Sequence, residues 1–207
     1  MQAHPEATRR ECADDAPNVP DLGRPCAGSR APRYPAAVDV YPAIASKRDV
    51  RAYATAAIPE DASHRILDAG RLAGSARNRQ LWQFHVVEDG AARERLAAAV
   101  YAPGNVRDAT LIVAITTGGK GSGGFDTGRA AQNMMLAAWD EGIVSCPNGI
   151  ADEDGARAAL SLGEEDQLHI VLSFGYPARP RDPLSRTAEQ WSEAANRKPL
   201  DEVVRRI

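Results

Sequence analysis

Two short, unbroken apolar runs give the clearest predicted strands of the chain. Residues 110–116 read TLIVAIT and residues 168–174 read LHIVLSF. Runs of this length without polar alternation, and rich in β-branched residues, are typical of strands buried on both faces of a sheet. The segment WQFHVVE at 82–88 predicts a third strand, and the brief apolar segment 143–146 predicts a fourth.

Apolar residues at helical spacing lie between these strands. After Pro59, which suits a first helical turn, positions 66, 67, 69, 72 and 73 form an apolar stripe. Asp126 is the expected N-cap of a long helix that runs through Glu141 and is closed by Gly142. Shorter helices are predicted at 40–47, 91–100 and 152–163. The pattern predicts a mixed α/β domain in which helices cover a central sheet.

The first 35 residues differ from the rest in composition. They contain six prolines and few large apolar side chains. Such a segment cannot bury enough surface to offset the entropy of ordering it. We therefore expect residues 1–35 to form a disordered or loosely wrapped leader, followed by a single domain at 36–207.

Composition narrows the classes of function. Of 207 residues, 43% are hydrophobic and 26% are charged, which is ordinary for a globular protein. The net charge of −3 argues against a nucleic-acid binder, and no apolar run approaches the ~20 residues that a membrane span needs. The three cysteines form no CxxC pair, and the four histidines lie far apart. We expect a reduced, cytoplasmic protein without a metal site.

Two local motifs have ordinary explanations. The run GGKGSGG at 118–124 lacks the Gly-Lys-Ser/Thr order of a phosphate loop, and a flexible surface loop explains it better. Cys146 precedes Pro147 without an obvious base nearby, which favours a small buried residue over a nucleophile. The cations of KRDVR at 47–51 suit either a solvated helix end or a phosphate site, and this motif alone favours the helix end.

An ordered set of five segments adds more than any single motif. KRDVRAY (47–53) is followed by AGSARNRQLWQFHVV (73–87), DTGRAAQNMMLAA (126–138), FGYP (174–177) and RKPLDEVV (197–204). This order and spacing resemble the FMN-dependent nitroreductase family, from about residue 40 to the end of the chain. The resemblance implies a nitroreductase-like central mixed sheet flanked by helices, in an intertwined homodimer.

The basic positions of the resemblance would hold the FMN phosphate and part of the ring. They correspond to Lys47, Arg48 and Arg51, and Arg197 matches a late phosphate-binding arginine. Asp49 stands where the family usually has serine. A carboxylate near a phosphate is repulsive, so Asp49 would turn away, pair with a neighbouring arginine or bind ribityl hydroxyls.

A polar loop before the first predicted strand gives a second part of the implied site. Ser75, Asn78 and Gln80 match family positions that face the flavin, and amides both donate to and accept from a pyrimidine edge. Gly74 and Leu81 stand where the family often has proline, which predicts a less rigid loop. Backbone groups beside the ring would come from Pro147, Asn148 and Gly149.

The resemblance implies a ping-pong oxidoreductase. NAD(P)H would deliver hydride to FMN, and a nitroaromatic, a quinone or a similar small acceptor would then take it. No side chain stands out as an acid or base, and the segment 101–108 is too short for a long substrate lid. Other flavin chemistry on the same fold, such as dehalogenation, desaturation or flavin fragmentation, stays open. So do a non-enzymatic flavin-binding or storage protein and an interaction domain without cofactor.

Overall fold

The computed structural model describes residues 39–119 and 123–207. The predicted leader at 1–35 and the start of the domain at residue 36 lie outside the described residues. So do residues 120–122 of the predicted glycine-rich loop.

A four-stranded sheet forms the centre of the described domain. Its strands, in spatial order, are β1 (Trp82–Val86), β2 (Leu111–Gly118), β4 (Asp166–Gly175) and β3 (Val144–Asn148). All three strand pairs are antiparallel. β2 is buried from Leu111 through Thr117, as its unbroken apolar run predicts.

Helices lie on both sides of this sheet. They are α1 (Val40–Ser46), α2 (Glu60–Arg71), α3 (Gly90–Ala98), α4 (Pro103–Arg107), α5 (Gly124–Asp140), α6 (Glu153–Ala159), α7 (Ala188–Ala194) and α8 (Leu200–Val203). The predicted α/β class is therefore confirmed. No helix in the described ranges is both long enough and apolar enough to span a membrane.

Several predicted details differ from the observed structure. Asp126 is not the N-cap of α5, because the helix begins earlier, at Gly124; its carboxylate instead accepts a hydrogen bond from the backbone of Ala76. The sheet was expected to be mixed, but parallel pairing in the described part of the chain is limited to an isolated bridge between Asp49 and Ser145. Asp152 does cap α6, accepting from the Gly155 amide at 3.0 Å.

Three hydrophobic clusters hold the layers together. α2 and α5 cover one face of the sheet, with Ile66 and Met134 fully buried against it. The other face packs against α3, α4 and α6. Trp139, near the end of α5, packs with Val50 and Val144 and fixes the chain after α1 against β3. Burial of each large side chain contributes about 1.5–3 kcal/mol, so this third cluster gives the basic segment a rigid support.

Candidate cofactor site

The basic segment 47–51 runs along the free edge of β3. Asp49 forms the parallel bridge with Ser145, and the Val50 amide donates to the Ser145 carbonyl at 3.1 Å. Side chains alternate along such an extended segment. Lys47, Asp49 and Arg51 therefore share one side, where the charges of all three act on the Cys146 thiol. Arg48 points the other way.

Lys47 and Asp49 form an ion pair. The Lys47 Nζ lies 2.6 Å from Asp49 Oδ1 and 3.3 Å from the Met135 sulfur on α5. The Lys47 side chain is only 9% exposed. Of the alternatives for Asp49, pairing with a neighbouring cation is the one observed, although the partner is Lys47 and not an arginine. The carboxylate consequently offsets the first positive charge of the motif.

Cys146 and Tyr53, which lie next to this segment, stay protonated at neutral pH. Cys146 is fully buried, and burial raises the pKa of its thiol. The sequence favoured a small buried residue here, and the structure confirms it. The Tyr53 hydroxyl lies 2.9 Å from Ser173 Oγ, and burial raises the pKa of Tyr53 to about 12.

The end of β3 supplies mainly backbone surface. The Asn148 side chain is buried and donates to the Cys146 and Val171 carbonyls, both at 3.1 Å. Its oxygen accepts from Asn105 Nδ2 at 2.8 Å. The Asn148 side-chain amide is thus bonded within the core. Only the backbone of Asn148 is available to lie beside the flavin ring, as the resemblance implies. Pro147 is half-buried and Gly149 is exposed at the same strand end.

Arg48 connects α1 to the C-terminal segment. Its guanidinium donates to the Ala45 and Lys47 carbonyls at 2.6 and 2.8 Å, and to the Trp191 carbonyl on α7 at 2.6 Å. The guanidinium carbon also lies 5.5 Å from the centroid of the Trp191 ring, within the range of a cation–π contact.

Two more arginines lie near Arg48. The Arg186 guanidinium is 4.9 Å from the Trp191 ring centroid, and the Arg197 amide donates to the Ser192 carbonyl at 3.2 Å. Burial lowers the pKa of Arg48, and the charges of Arg197 and Arg186 lower it further. Arg48, Arg186 and Arg197 are named the arginine cluster below. Arg186 was missed by sequence reasoning, since nothing in the sequence connects it with Arg48.

The polar loop adopts an uncommon backbone. Ser75 Oγ accepts from the Gln80 amide at 2.9 Å, and Gln80 Nε2 donates to Asn78 Oδ1 at 3.1 Å. Arg77, Asn78 and Gln80 all have positive φ, at 55°, 54° and 49°. Such conformations are uncommon outside glycine, and they concentrate at functional sites. This backbone holds the two amides at the surface, where both residues are exposed.

α5 anchors this loop. Asp126 Oδ2 accepts from the Ala76 amide at 3.1 Å, and Arg129 Nη1 donates to the Gly74 carbonyl at 2.7 Å. A Cβ at position 74 would lie 2.5 Å from Arg129 Nη2, so glycine leaves room for this contact. The sequence predicted a looser loop from the missing prolines. The structure shows side-chain anchors in their place.

The implied site residues form two groups within one chain. The loop contacts Asp126 and Arg129 near the start of α5, whereas Lys47 contacts Met135. Met135 is nine positions after Asp126, which corresponds to about 14 Å along a helix. Within residues 39–119 and 123–207, no hydrogen bond or ion pair joins the loop to the basic segment.

The donor chemistry of the two groups fits FMN. Forked guanidinium donors suit a phosphate monoester, and the exposed Asn78 and Gln80 amides suit the polar edge of a flavin ring. The comparison with known proteins agrees with this assignment. The sequence model of the Nitroreductase family matches residues 44–117 and 123–176, which is more than half of the chain.

The chain belongs to the nitroreductase family. The predicted family is thereby confirmed. A relative in Methanothermobacter thermautotrophicus, provisionally named NADH dehydrogenase/NAD(P)H nitroreductase, is 31% identical over 150 residues. The match covers 68% of this chain and 78% of the relative.

Solved members of the nitroreductase family share the fold. A family protein of Clostridium difficile 630 aligns with a TM-score of 0.70 at 22% identity, over 81% of this chain and 98% of that one. A Desulfovibrio desulfuricans protein, provisionally named a nitroreductase and solved in complex with FMN, aligns with a TM-score of 0.66 at 26% identity. That alignment covers 78% of this chain and 92% of the other.

Proposed function

We propose that this chain is an FMN-dependent oxidoreductase that uses NAD(P)H to reduce a small-molecule acceptor, such as a nitroaromatic or a quinone. Family membership supports this proposal, as do the activities that appear in the names of its relatives. The observation that carries it is the presence, on a nitroreductase fold, of both an arginine cluster and a surface loop that presents two amides.

The residues of the chain would bind and orient the cofactor. Arg48 and Arg197 would hold the phosphate, Arg51 would place positive charge near the ring, and Asn78 and Gln80 would bond its polar edge. FMN, when bound, supplies hydride transfer from NAD(P)H and then to the acceptor, in two half-reactions. Tyr53 and Cys146 hold their protons at neutral pH, so neither serves as a general base. Solvent would supply the proton.

The two groups of site residues would meet in a homodimer. The loop borders an open depression of about 590 Å³ that is lined in part by Leu72, Gly74, Phe125 and Arg129. Leu72 is 64% exposed and Phe125 is 78% exposed there. Exposed apolar side chains of this size are typical of a protein interface. A second copy docked on this face would bring its own basic group towards the loop, so each site would use residues of both chains.

Two further parts of the proposal rest on sequence alone. The composition supports a leader at 1–35 and a single domain at 36–207. The cysteine pattern supports a cytoplasmic location.

Steady-state kinetics test the proposed function. Initial rates would be measured with NADH or NADPH at several fixed concentrations of menadione, a quinone, and then of a nitrobenzoate. Parallel double-reciprocal lines are the expected result for two separate half-reactions. Intersecting lines would contradict the ping-pong scheme. No FMN-dependent turnover with either class of acceptor would contradict the proposed acceptors, and flavin binding would then be measured separately.

A further inference from the structure

We propose that Arg186 completes a binding site for a phosphate monoester, in which it acts together with Arg48 and Arg197. This inference rests on the proposed function and deepens it, because it adds a residue that the family motifs do not contain. A phosphate monoester carries about −1.5 to −2 charge at neutral pH and has three strong acceptor oxygens. Several guanidinium groups can share such a ligand.

Arg48 and Arg186 both contact the ring of Trp191. The Arg48 and Arg186 guanidinium carbons lie 5.5 and 4.9 Å from the same ring centroid. Cation–π contacts of this kind hold a guanidinium over a ring while its edge can still donate hydrogen bonds. Arg48 is partly engaged, since it donates to three backbone carbonyls. Arg186 is exposed and makes its described contact with the ring alone.

The cluster has an excess of positive charge. Among residues 39–119 and 123–207, no carboxylate lies within ion-pair distance of Arg48, Arg186 or Arg197. By contrast, Lys47 of the same basic segment is paired with Asp49. Like charges without counter-charges repel one another, and the lowered pKa of Arg48 reflects this repulsion in addition to burial. An anion bound among the three guanidiniums would remove the repulsion.

Local structure holds the cluster in place. Thr187 and Gln190 form a reciprocal capping box at the start of α7, one residue after Arg186. Trp191 Nε1 donates to the Pro183 carbonyl at 3.0 Å, which fixes the indole on the preceding turn. A site held by such contacts loses little freedom when it binds a ligand, and this favours affinity.

Two phosphate monoesters are available to this enzyme. One is the 5′-phosphate of FMN, which the position of Arg197 in the family motif favours. The other is the 2′-phosphate that distinguishes NADPH from NADH. The chemistry that the arginines recognise is the same, so the experiment separates the two sources.

The experiment compares Arg186→Gln with the wild type in two ratios. The first is the Kd for FMN against that for riboflavin, which lacks the phosphate. The second is kcat/KM for NADPH against that for NADH. Arg181→Gln serves as the matched control, because Arg181 is an exposed arginine of the same segment and has no part in the cluster. Arg186→Lys keeps the charge but loses the fork, and thermal melting checks that every variant folds.

We expect Arg186→Gln to raise the Kd for FMN by about tenfold or more and to leave the Kd for riboflavin unchanged. In Arg181→Gln, both Kd values should equal those of the wild type. Arg186→Lys should recover part of the loss. An unchanged flavin ratio with a fall of about tenfold in the NADPH preference would support the site and assign it to NADPH. Both ratios unchanged, or equal loss of FMN and riboflavin binding, would overturn the site and leave the proposed function standing. A wild-type protein that binds no FMN would overturn both.

Discussion

The ammonium group of Lys47 lies 2.6 Å from a carboxylate oxygen of Asp49, the residue that stands in place of the serine expected from the resemblance to the nitroreductase family. The pair has two consequences for cofactor binding. It offsets the positive charge of Lys47, and it leaves a carboxylate, 41% exposed, on the side of the basic segment that Arg51 shares and Arg48 does not. The arginine cluster supplies positive charge that this pair does not offset.

Replacing Asp49 tests the first consequence. Asp49→Ser removes a negative charge and releases Lys47, so FMN should bind more tightly. We expect the Kd for FMN to fall several-fold, about 1 kcal/mol, since both changes favour an anion. Fluorescence titration of FMN measures this change. The control is Glu94→Ser on α3, which breaks an exposed ion pair with Arg107 on the other face of the sheet. Unchanged or weaker FMN binding in Asp49→Ser would show that the carboxylate does not oppose the cofactor.

Arg197 provides a test of the phosphate assignment. Arg197→Ala should raise the Kd for FMN by about tenfold or more, because charge-assisted hydrogen bonds to phosphate are lost. The side chain is exposed, so the thermal midpoint should stay close to that of the wild type. Flavin content after gel filtration, measured beside Arg205→Ala, is the readout. A folded Arg197→Ala protein that retains its full flavin would exclude Arg197 from the site.

The central strands and the longest helix were predictable because local pattern and tertiary position agree in them. The run from Leu111 is buried on both faces, and the stripe after Pro59 packs on α5. α7 and α8 were not predicted, since both are short and neither buries a residue. The Thr187–Gln190 capping box was an available signal for α7. α5 begins before Asp126, and the Asp126 carboxylate accepts from the Ala76 amide of the loop and does not cap the helix.

The candidate site could be predicted only in part. The family order identified the basic segment and the polar loop. It could not show that Lys47 pairs with Asp49, since the sequence left three alternatives open for the Asp49 carboxylate. Arg186 and Arg48 meet through the ring of Trp191, a contact between residues far apart in the chain. Such a contact depends on tertiary packing and leaves no pattern in the sequence.

The proposed dimer predicts a linked loss of assembly and cofactor. Phe125→Glu places a charge on an exposed apolar position, so the monomer should keep its fold while the dimer dissociates. We expect sedimentation velocity to shift from dimer to monomer, with a parallel loss of flavin. Ala98→Glu, which adds the same charge at an exposed position on α3, should change neither. A flavin-loaded wild-type monomer would contradict the dimer.

Tyr53 predicts how stability depends on alkaline pH. Its pKa is about 12 in the folded protein and near 10 when unfolded, so between these values the unfolded state binds fewer protons. Stability conferred by Tyr53 is therefore lost as pH rises above about 10. Tyr53→Phe should be about 1 kcal/mol less stable than wild type at pH 8, because the bond to Ser173 is lost. Urea unfolding should show that the difference in free energy of unfolding between wild type and Tyr53→Phe is about 1 kcal/mol smaller at pH 11 than at pH 8. A constant difference would contradict the raised pKa.

The visible absorption spectrum of the purified protein under anaerobic conditions tests the central claim most directly. The protein would be loaded with FMN, freed of excess cofactor and mixed with NADPH or NADH. We predict flavin bands that bleach on mixing and return when a quinone is added without oxygen. Bands that persist with both nucleotides would contradict an NAD(P)H-dependent oxidoreductase and leave a flavin-binding protein. The absence of flavin bands after loading would contradict the cofactor site itself.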